Sequence, residues 1–226
     1  MIMDIIEALN ITRRFGETET EVLAVDDVTF SVRERELVIL MGPSGSGKTT
    51  LLAMLGCLLK PTSGRIRILG RDISSLSAGS LAKLRGESIG FVFQGFNLFS
   101  GLRAWENVAL SADFVHKYSR NSKFRAIHLL EEVGLGNRIH HLPKDLSAGE
   151  KQRVAFVRAL MNEPRIILAD EPTANLDSEN RDALTSLLRK AMDRQNVSVI
   201  LATHDERLQH LSDYILHIED GRLREA

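Results

Sequence analysis

The chain has 226 residues, 43% hydrophobic and 26% charged, with a formal net charge of −1. This composition suits one large or two intimately joined globular units with a sizeable core, and it excludes a nucleic-acid binder held by a bulk positive field. The lone cysteine, Cys57, rules out an intramolecular disulfide and most thiolate metal sites. No run of about eighteen apolar residues is present to read as a membrane span, and the opening MIMDIIEALN, with its acids and no basic run, does not read as a secretory signal.

Short strands are predicted over 5–11, 21–24 and 28–32, around a polar turn at 16–20, as an antiparallel flap. Phe15, just before that turn, either stacks on a nucleobase or packs the sheet edge. The apolar run 37–41 then enters GPSGSGKT as a buried strand, and 50–55 leaves it as a helix opened by Thr50. Gly42, Pro43, Ser44, Gly45, Ser46 and Gly47, followed by Lys48 and Thr49, fit GxxxxGK[ST]. In that pattern a glycine-rich turn points backbone N–H groups at polyphosphate oxygens, the lysine reaches the terminal phosphates and the hydroxyl ligates Mg²⁺. The motif between strand and helix predicts a bound nucleoside triphosphate.

A turn at 61–64 precedes a strand at 65–69, a short helix at 80–85 and an apolar strand at 88–93 ending on Gln94. From about residue 101 the spacing becomes helical, with helices over 105–118, 123–133 and 146–161. Pro164 closes this segment. Strand, helix and strand patterns follow at 165–169, 178–194 and 197–203, with a final strand at 214–219. The expectation is a single α/β domain over 1–226: a mostly parallel, doubly wound nucleotide core with helices on both faces over 1–100 and 164–226, an N-terminal antiparallel β-subdomain, and a helical insert over 101–163.

Asp170 and Glu171 sit at the C-terminal tip of an apolar strand, where open α/β sheets place ligands. Asp170 is expected to hold Mg²⁺ and Glu171 to polarise the water that attacks the γ-phosphate. His204 ends another apolar strand, so Gln94, the acid pair and His204 converge on one edge as a γ-phosphate sensor. The segment LSAGE is a capping box in which Ser147 caps a helix and Glu150 reaches back to it. A capped helix start is also an anion site. Being far in sequence from the phosphate loop, it points to a nucleotide held by another copy of the chain.

In order and spacing, GPSGSGKT, Gln94, LSAGE, ILADEP, NLD and His204 resemble the ATP-binding cassette (ABC) ATPase subunits over essentially the whole chain. The resemblance implies a phosphate-loop NTPase core and an ATPase using ATP and Mg²⁺, with Thr49, Gln94 and Asp170 around the metal and Glu171, His204 and Gln94 in catalysis. It further implies a head-to-tail homodimer in which Ser147, Ala148, Gly149, Glu150 and Asp177 meet the partner's ATP, and Phe15 stacks on adenine. GFVFQGFNL, ENV and LADEPTANLDS are similar to the branch containing lipoprotein-release, macrolide-export and cell-division ATPases. That branch implies a membrane permease as partner, work directed at export or at the envelope, and a cytoplasmic chain peripheral on the inner face of the membrane. Ala148 departs from the glycine expected there. The apolar set Phe96, Leu98 and Phe99 marks a docking surface for the permease or a subdomain hinge. A soluble ATP-gated clamp is the alternative; such proteins usually carry a long coiled-coil insertion or two cassettes, and neither is present.

Overall fold

The computed structural model describes residues 4–16, 21–113, 115, 120–174 and 176–224. Strands β1 (Asp4–Phe15) and β2 (Val22–Arg33) pair antiparallel along nearly their whole length. The strands expected at 21–24 and 28–32 are therefore one. Asp26 and Asp27 look like a break, yet the chain runs through them because Asp27 takes a left-handed φ of 52° and neighbours absorb its polar groups. The Asp27 N–H donates to Thr12 Oγ1 at 3.2 Å, and Asn10 Nδ2 donates to the Asp27 carboxylate at 3.0 Å. The register shift between Ile11 and Arg13, paired with Val28 and Val25, is the bulge that accommodates this extra length. Apart from Gly16, the expected turn at 16–20 lies outside the described residues.

β3 (Leu37–Met41), buried at every residue, enters the glycine loop, and α1 (Lys48–Leu55) leaves it. β4 (Ser63–Ile68) and β5 (Arg71–Asp72) then join the first two strands in a four-stranded antiparallel sheet of order β2-β1-β4-β5. The β-subdomain is thus not wholly N-terminal, because it draws half its strands from beyond α1. The pattern of β4 explains this: Ile66 and Ile68 are buried while Arg65 is exposed, and a half-buried strand suits a sheet with one wet face.

The rest of the chain runs α2 (Ala78–Ser88), β6 (Ile89–Val92), α3 (Ala104–Asp113), α4 (Arg120–Glu132), α5 (Ala148–Leu160), β7 (Ile166–Asp170), α6 (Ser178–Gln195), β8 (Ser198–Thr203), β9 (Tyr214–Glu219) and β10 (Arg222–Arg224). The end of the helix expected over 105–118 falls partly on residues outside the description. The second sheet has the order β10-β9-β3-β8-β7-β6 and is parallel except for β10. β10 follows β9 across Asp220 and Gly221, whose φ values of 47° and 77° make a two-residue hairpin.

Alternate residues of the parallel strands feed two cores, which is why these strands are apolar throughout. Val38, Leu40, Leu168 and Ile200 pack with α1 and the antiparallel sheet. Leu37, Ile39, Ile167 and Leu201 pack on the other face with Phe156 of α5 and Leu184 and Leu188 of α6. A third cluster joins α3, α4 and α5 through Val108, Leu130, Val154 and Val157. α5 therefore belongs to both the sheet and the helical group, and a shift of one is felt by the other. Among the described residues, no helix is long and apolar enough to cross a membrane.

Candidate active site

The phosphate loop is built on a backbone that side chains could not follow. Gly47 caps α1 at φ 103°, and a Cβ there would lie 2.2 Å from the carbonyl oxygen of Ala24 in β2. α1 has no side-chain cap and no acid in its first turn, so its unpartnered amides and positive dipole end open onto the loop. Lys48 Nζ donates to the carbonyls of Gly42 at 2.7 Å and Pro43 at 2.8 Å, folding the lysine back along the loop. Burial pulls the Lys48 ammonium below its usual pKa, while the charges of Glu171 and then Asp170 oppose that shift. Ser46 is buried, and among the described residues its Oγ has no hydrogen-bond partner.

The acid pair lies beside this lysine. Thr49 hydrogen-bonds the Asp170 carboxylate, and burial raises the Asp170 pKa. The Thr49 bond and the Lys48 charge work against that rise, and the Glu171 charge adds to it. Glu171 takes a left-handed φ of 44° and ties its N–H to the Ala202 carbonyl at 2.9 Å. Non-glycine residues hold such a conformation only where the surroundings enforce it, commonly at working sites. Its Oε1 is 2.8 Å from His204 Nδ1, and Thr203 Oγ1 donates to Oε2 at 3.4 Å. A carboxylate only accepts, so Nδ1 carries the proton and Nε2 is left for another partner.

A cleft of about 670 Å³ gathers these groups. Its wall contains Pro43, Ser44, Gly45, Gly47, Lys48, Thr49 and Thr50 from the loop, with Asp170 and Glu171 at the end of β7, His204 just after β8, and Gln94. Gln94 belongs to a turn rather than a strand tip, since β6 stops at Val92. Gly42 and Ser46 of the loop are not part of this wall. Val22, Leu23, Ala24, Asp220 and Gly221 complete it and were not anticipated. The Asp-Gly pair was a legible hairpin signal; the lip formed by Val22 and Leu23 had none. Phe15 stands outside the wall, 40% exposed, with the Arg13 guanidinium 4.6 Å over its ring.

Ser147, Ala148, Gly149, Glu150 and Asp177 are not in this cleft. The capping box forms as expected: Ser147 Oγ accepts from the Glu150 N–H at 3.2 Å, and the Ser147 N–H donates to Glu150 Oε2 at 2.8 Å. Arg138 Nε adds a 2.9 Å ion pair to Glu150. Ser147 and Ala148 are exposed and Gly149 is buried. Asp177 caps α6 by accepting the Asn180 N–H at 2.8 Å, while Asn175 of the NLD motif lies outside the described residues.

The loop after Gln94 turns through Phe96 and Asn97, with φ values of 60° and 47°. Arg158 of α5 holds it, donating from Nη2 to the Phe96 carbonyl at 2.9 Å and from Nη1 to that of Asn97. The expected apolar patch shrinks accordingly. Phe96 is half-buried and Leu98 packs into the helical cluster, leaving Phe99 exposed at 56%. Beside this loop runs a groove of about 900 Å³, walled by Leu58, Phe91, Phe93, Lys83 and Arg158 among others.

Comparison with known proteins agrees with this geometry. The family described as ABC transporter matches residues 25–174. Over 223 residues the chain is 41% identical to the macrolide export ATP-binding/permease protein MacB of Hyphomonas neptunium, a match covering 99% of this chain and 34% of that protein. It thus spans about a third of the length of that relative. An uncharacterised ABC transporter ATP-binding protein of Thermotoga maritima is 43% identical over 219 residues, covering 97% of this chain and 93% of that one. A dimeric post-hydrolysis structure of the ATP-binding cassette MJ0796, bound to ADP and Pi, superposes with a TM-score of 0.91 at 38% identity and 97% coverage of both chains.

Proposed function

Because the chain belongs to the ABC transporter family, as an ATP-hydrolysing cassette, we propose that two copies close on two ATP molecules and pass the movement to a membrane permease. The observation that supports this most is the division of the motifs. The phosphate loop, acid pair, Gln94 and His204 share one cleft, whereas the capped start of α5 and the cap of α6 lie outside it. Each site is then a cleft from one subunit and a helix start from the other, with Ser147, Ala148, Gly149, Glu150 and Asp177 facing the partner's nucleotide.

Within the cleft, the loop amides and Lys48 take the phosphates, and Glu171 orients and polarises the attacking water, with His204 held to it at 2.8 Å. The donor set suits Mg²⁺: a buried carboxylate of raised pKa bonded to a hydroxyl favours a hard cation that shares its shell with phosphate oxygens. Thr49 and Asp170 would hold it with Gln94 beside them, and the ion would neutralise charge on the phosphates. Phe15 offers its free face to the adenine. The permease docks in the groove beside the Gln94 to Phe99 loop, between core and helical group, and through it the chain sits peripherally on the cytoplasmic face of the membrane. The MacB relative favours export as the work this chain drives.

The test is Glu171→Gln, which keeps shape and hydrogen bonding but removes the base. The variant is expected to lose hydrolysis and to run as a dimer on size exclusion when ATP and Mg²⁺ are present, returning to monomer without them. A variant that stays monomeric with saturating ATP contradicts the two-subunit site.

A further inference from the structure

A single side-chain amide ties together the two elements assigned above to the partner's ATP. Arg153 of α5 donates from Nη1 to Asn180 Oδ1 at 3.1 Å. From the other end of the same amide, Asn180 Nδ2 donates to both oxygens of Asp177, at 2.9 and 3.1 Å. The orientation of that amide is fixed by its neighbours, since a guanidinium only donates and a carboxylate only accepts. The chain Arg153 to Asn180 to Asp177 thus runs from a cation to an anion. It joins α5, part of the helical group, to the first turn of α6, part of the sheet core.

Gly149 shows how closely the two helix starts are fitted. A Cβ at Gly149 would lie 2.0 Å from Asn180 Oδ1 and 2.4 Å from Asn180 Cγ. Any side chain there must push the amide away, and the amide is held by three hydrogen bonds, one accepted from Arg153 and two donated to Asp177. The need for glycine at this position is therefore met inside one subunit, whatever it later faces.

We propose that Asn180 is the positioning residue that holds the Ser147 helix start and the Asp177 turn as one rigid face, so that both engage the partner subunit's nucleotide together. Asn180 touches no nucleotide itself. Without it, the two helices still share their apolar core through Phe156, Leu184 and Leu188, but their starts lose this tie, and closing the dimer must first restore their relation. The inference rests on the two-subunit reading.

The experiment places Asn180→Ala and Asn180→Asp in the Glu171→Gln background and measures two quantities by sedimentation and fluorescent-nucleotide titration. ATP affinity of the monomer, at low protein concentration, reports the cleft alone. Dimerisation in saturating Mg²⁺ and ATP reports the composite site. Asn180→Ala is expected to leave the first within about twofold and to weaken the second by at least about tenfold, from the loss of hydrogen bonds to two charged groups. Asn180→Asp keeps the Arg153 bond but sets a carboxylate against Asp177, so it should weaken dimerisation equally. Parallel losses in monomer affinity and dimerisation would mark a merely structural role and overturn the assignment. A dimerising Glu171→Gln parent with an equally dimerising Asn180→Ala variant overturns the assignment alone. A monomeric parent overturns the two-subunit reading, and this inference with it.

Discussion

Two glycines of the phosphate loop separate backbone strain from steric clearance. Gly45 and Gly47 both lie in the left-handed half of the map, at φ 81° and 103°. A methyl group at Gly45 would meet nothing within 4 Å among the described residues, whereas at Gly47 it would lie 2.2 Å from the Ala24 carbonyl oxygen. Gly45→Ala therefore carries only the backbone term, about 1–2 kcal/mol. Gly47→Ala adds a displacement of roughly 1 Å against β2, given an ordinary carbon–oxygen contact of about 3.3 Å. That strand yields little, because Val25 and Leu23 are paired to β1 and the Asp26 N–H is bound to the Gly221 carbonyl at 2.8 Å. The total for Gly47→Ala should exceed about 3 kcal/mol, in the range of severe overpacking plus strain. Urea unfolding gives the stabilities, and titration with a fluorescent ATP analogue gives the state of the loop. Equal destabilisation by the two substitutions, or native nucleotide affinity in Gly47→Ala, would refute the reasoning.

Burial raises the Asp170 pKa, so the native state favours its protonated form and loses stability as pH rises through that raised value. Asp170→Asn should accordingly raise stability at neutral pH by about 0.5–2 kcal/mol, less in acid, while hydrolysis falls by on the order of 10²–10³; thermal melts across pH and a phosphate-release assay check both. Glu150 behaves oppositely. The Ser147 N–H, with Arg138, holds its carboxyl below the usual range, so its contribution is full above the ordinary carboxylate pKa and fades as pH falls through the lowered one. Glu150→Ala should cost about 1 kcal/mol at neutral pH, and its melting temperature should converge on the wild type only once pH falls below that lowered value. Phe99→Ser should leave basal hydrolysis intact and weaken stimulation by the permease, whereas Leu98→Ser, striking a packed residue, should lower the melting temperature instead.

The parts of the site written as local chemistry were legible in sequence. The glycine loop, the acids after an apolar strand and the Ser147 capping box each need only neighbours within a few residues, and the structure forms the box and brings loop and acids to one cleft. Pairings between distant segments were not. β4 reaches β1 across some sixty residues, Ile6 opposite Ile68, and nothing local names that partner, although the alternation of Ile66 and Ile68 with arginines does separate β4 from the parallel strands. The acidic pair in β2 reads as a turn because aspartate favours one, and only the bulge with Thr12 and Asn10 lets a strand carry it. Arg158 and Asn180 act through carbonyls and side chains 61 and 27 residues away. Helical periodicity gives the face such residues occupy but not the group they meet.

The claim on which the rest depends is that each ATP site is built from two subunits, and subunit complementation tests it directly. Lys48→Ala removes the phosphate lysine, and Ser147→Arg blocks the helix start; each protein alone should be inactive. In an equimolar mixture, random pairing makes half the dimers mixed, each with one whole site of two, so hydrolysis should recover to roughly a quarter of the wild-type rate. A mixture that forms mixed dimers yet stays as inactive as its components would contradict the account.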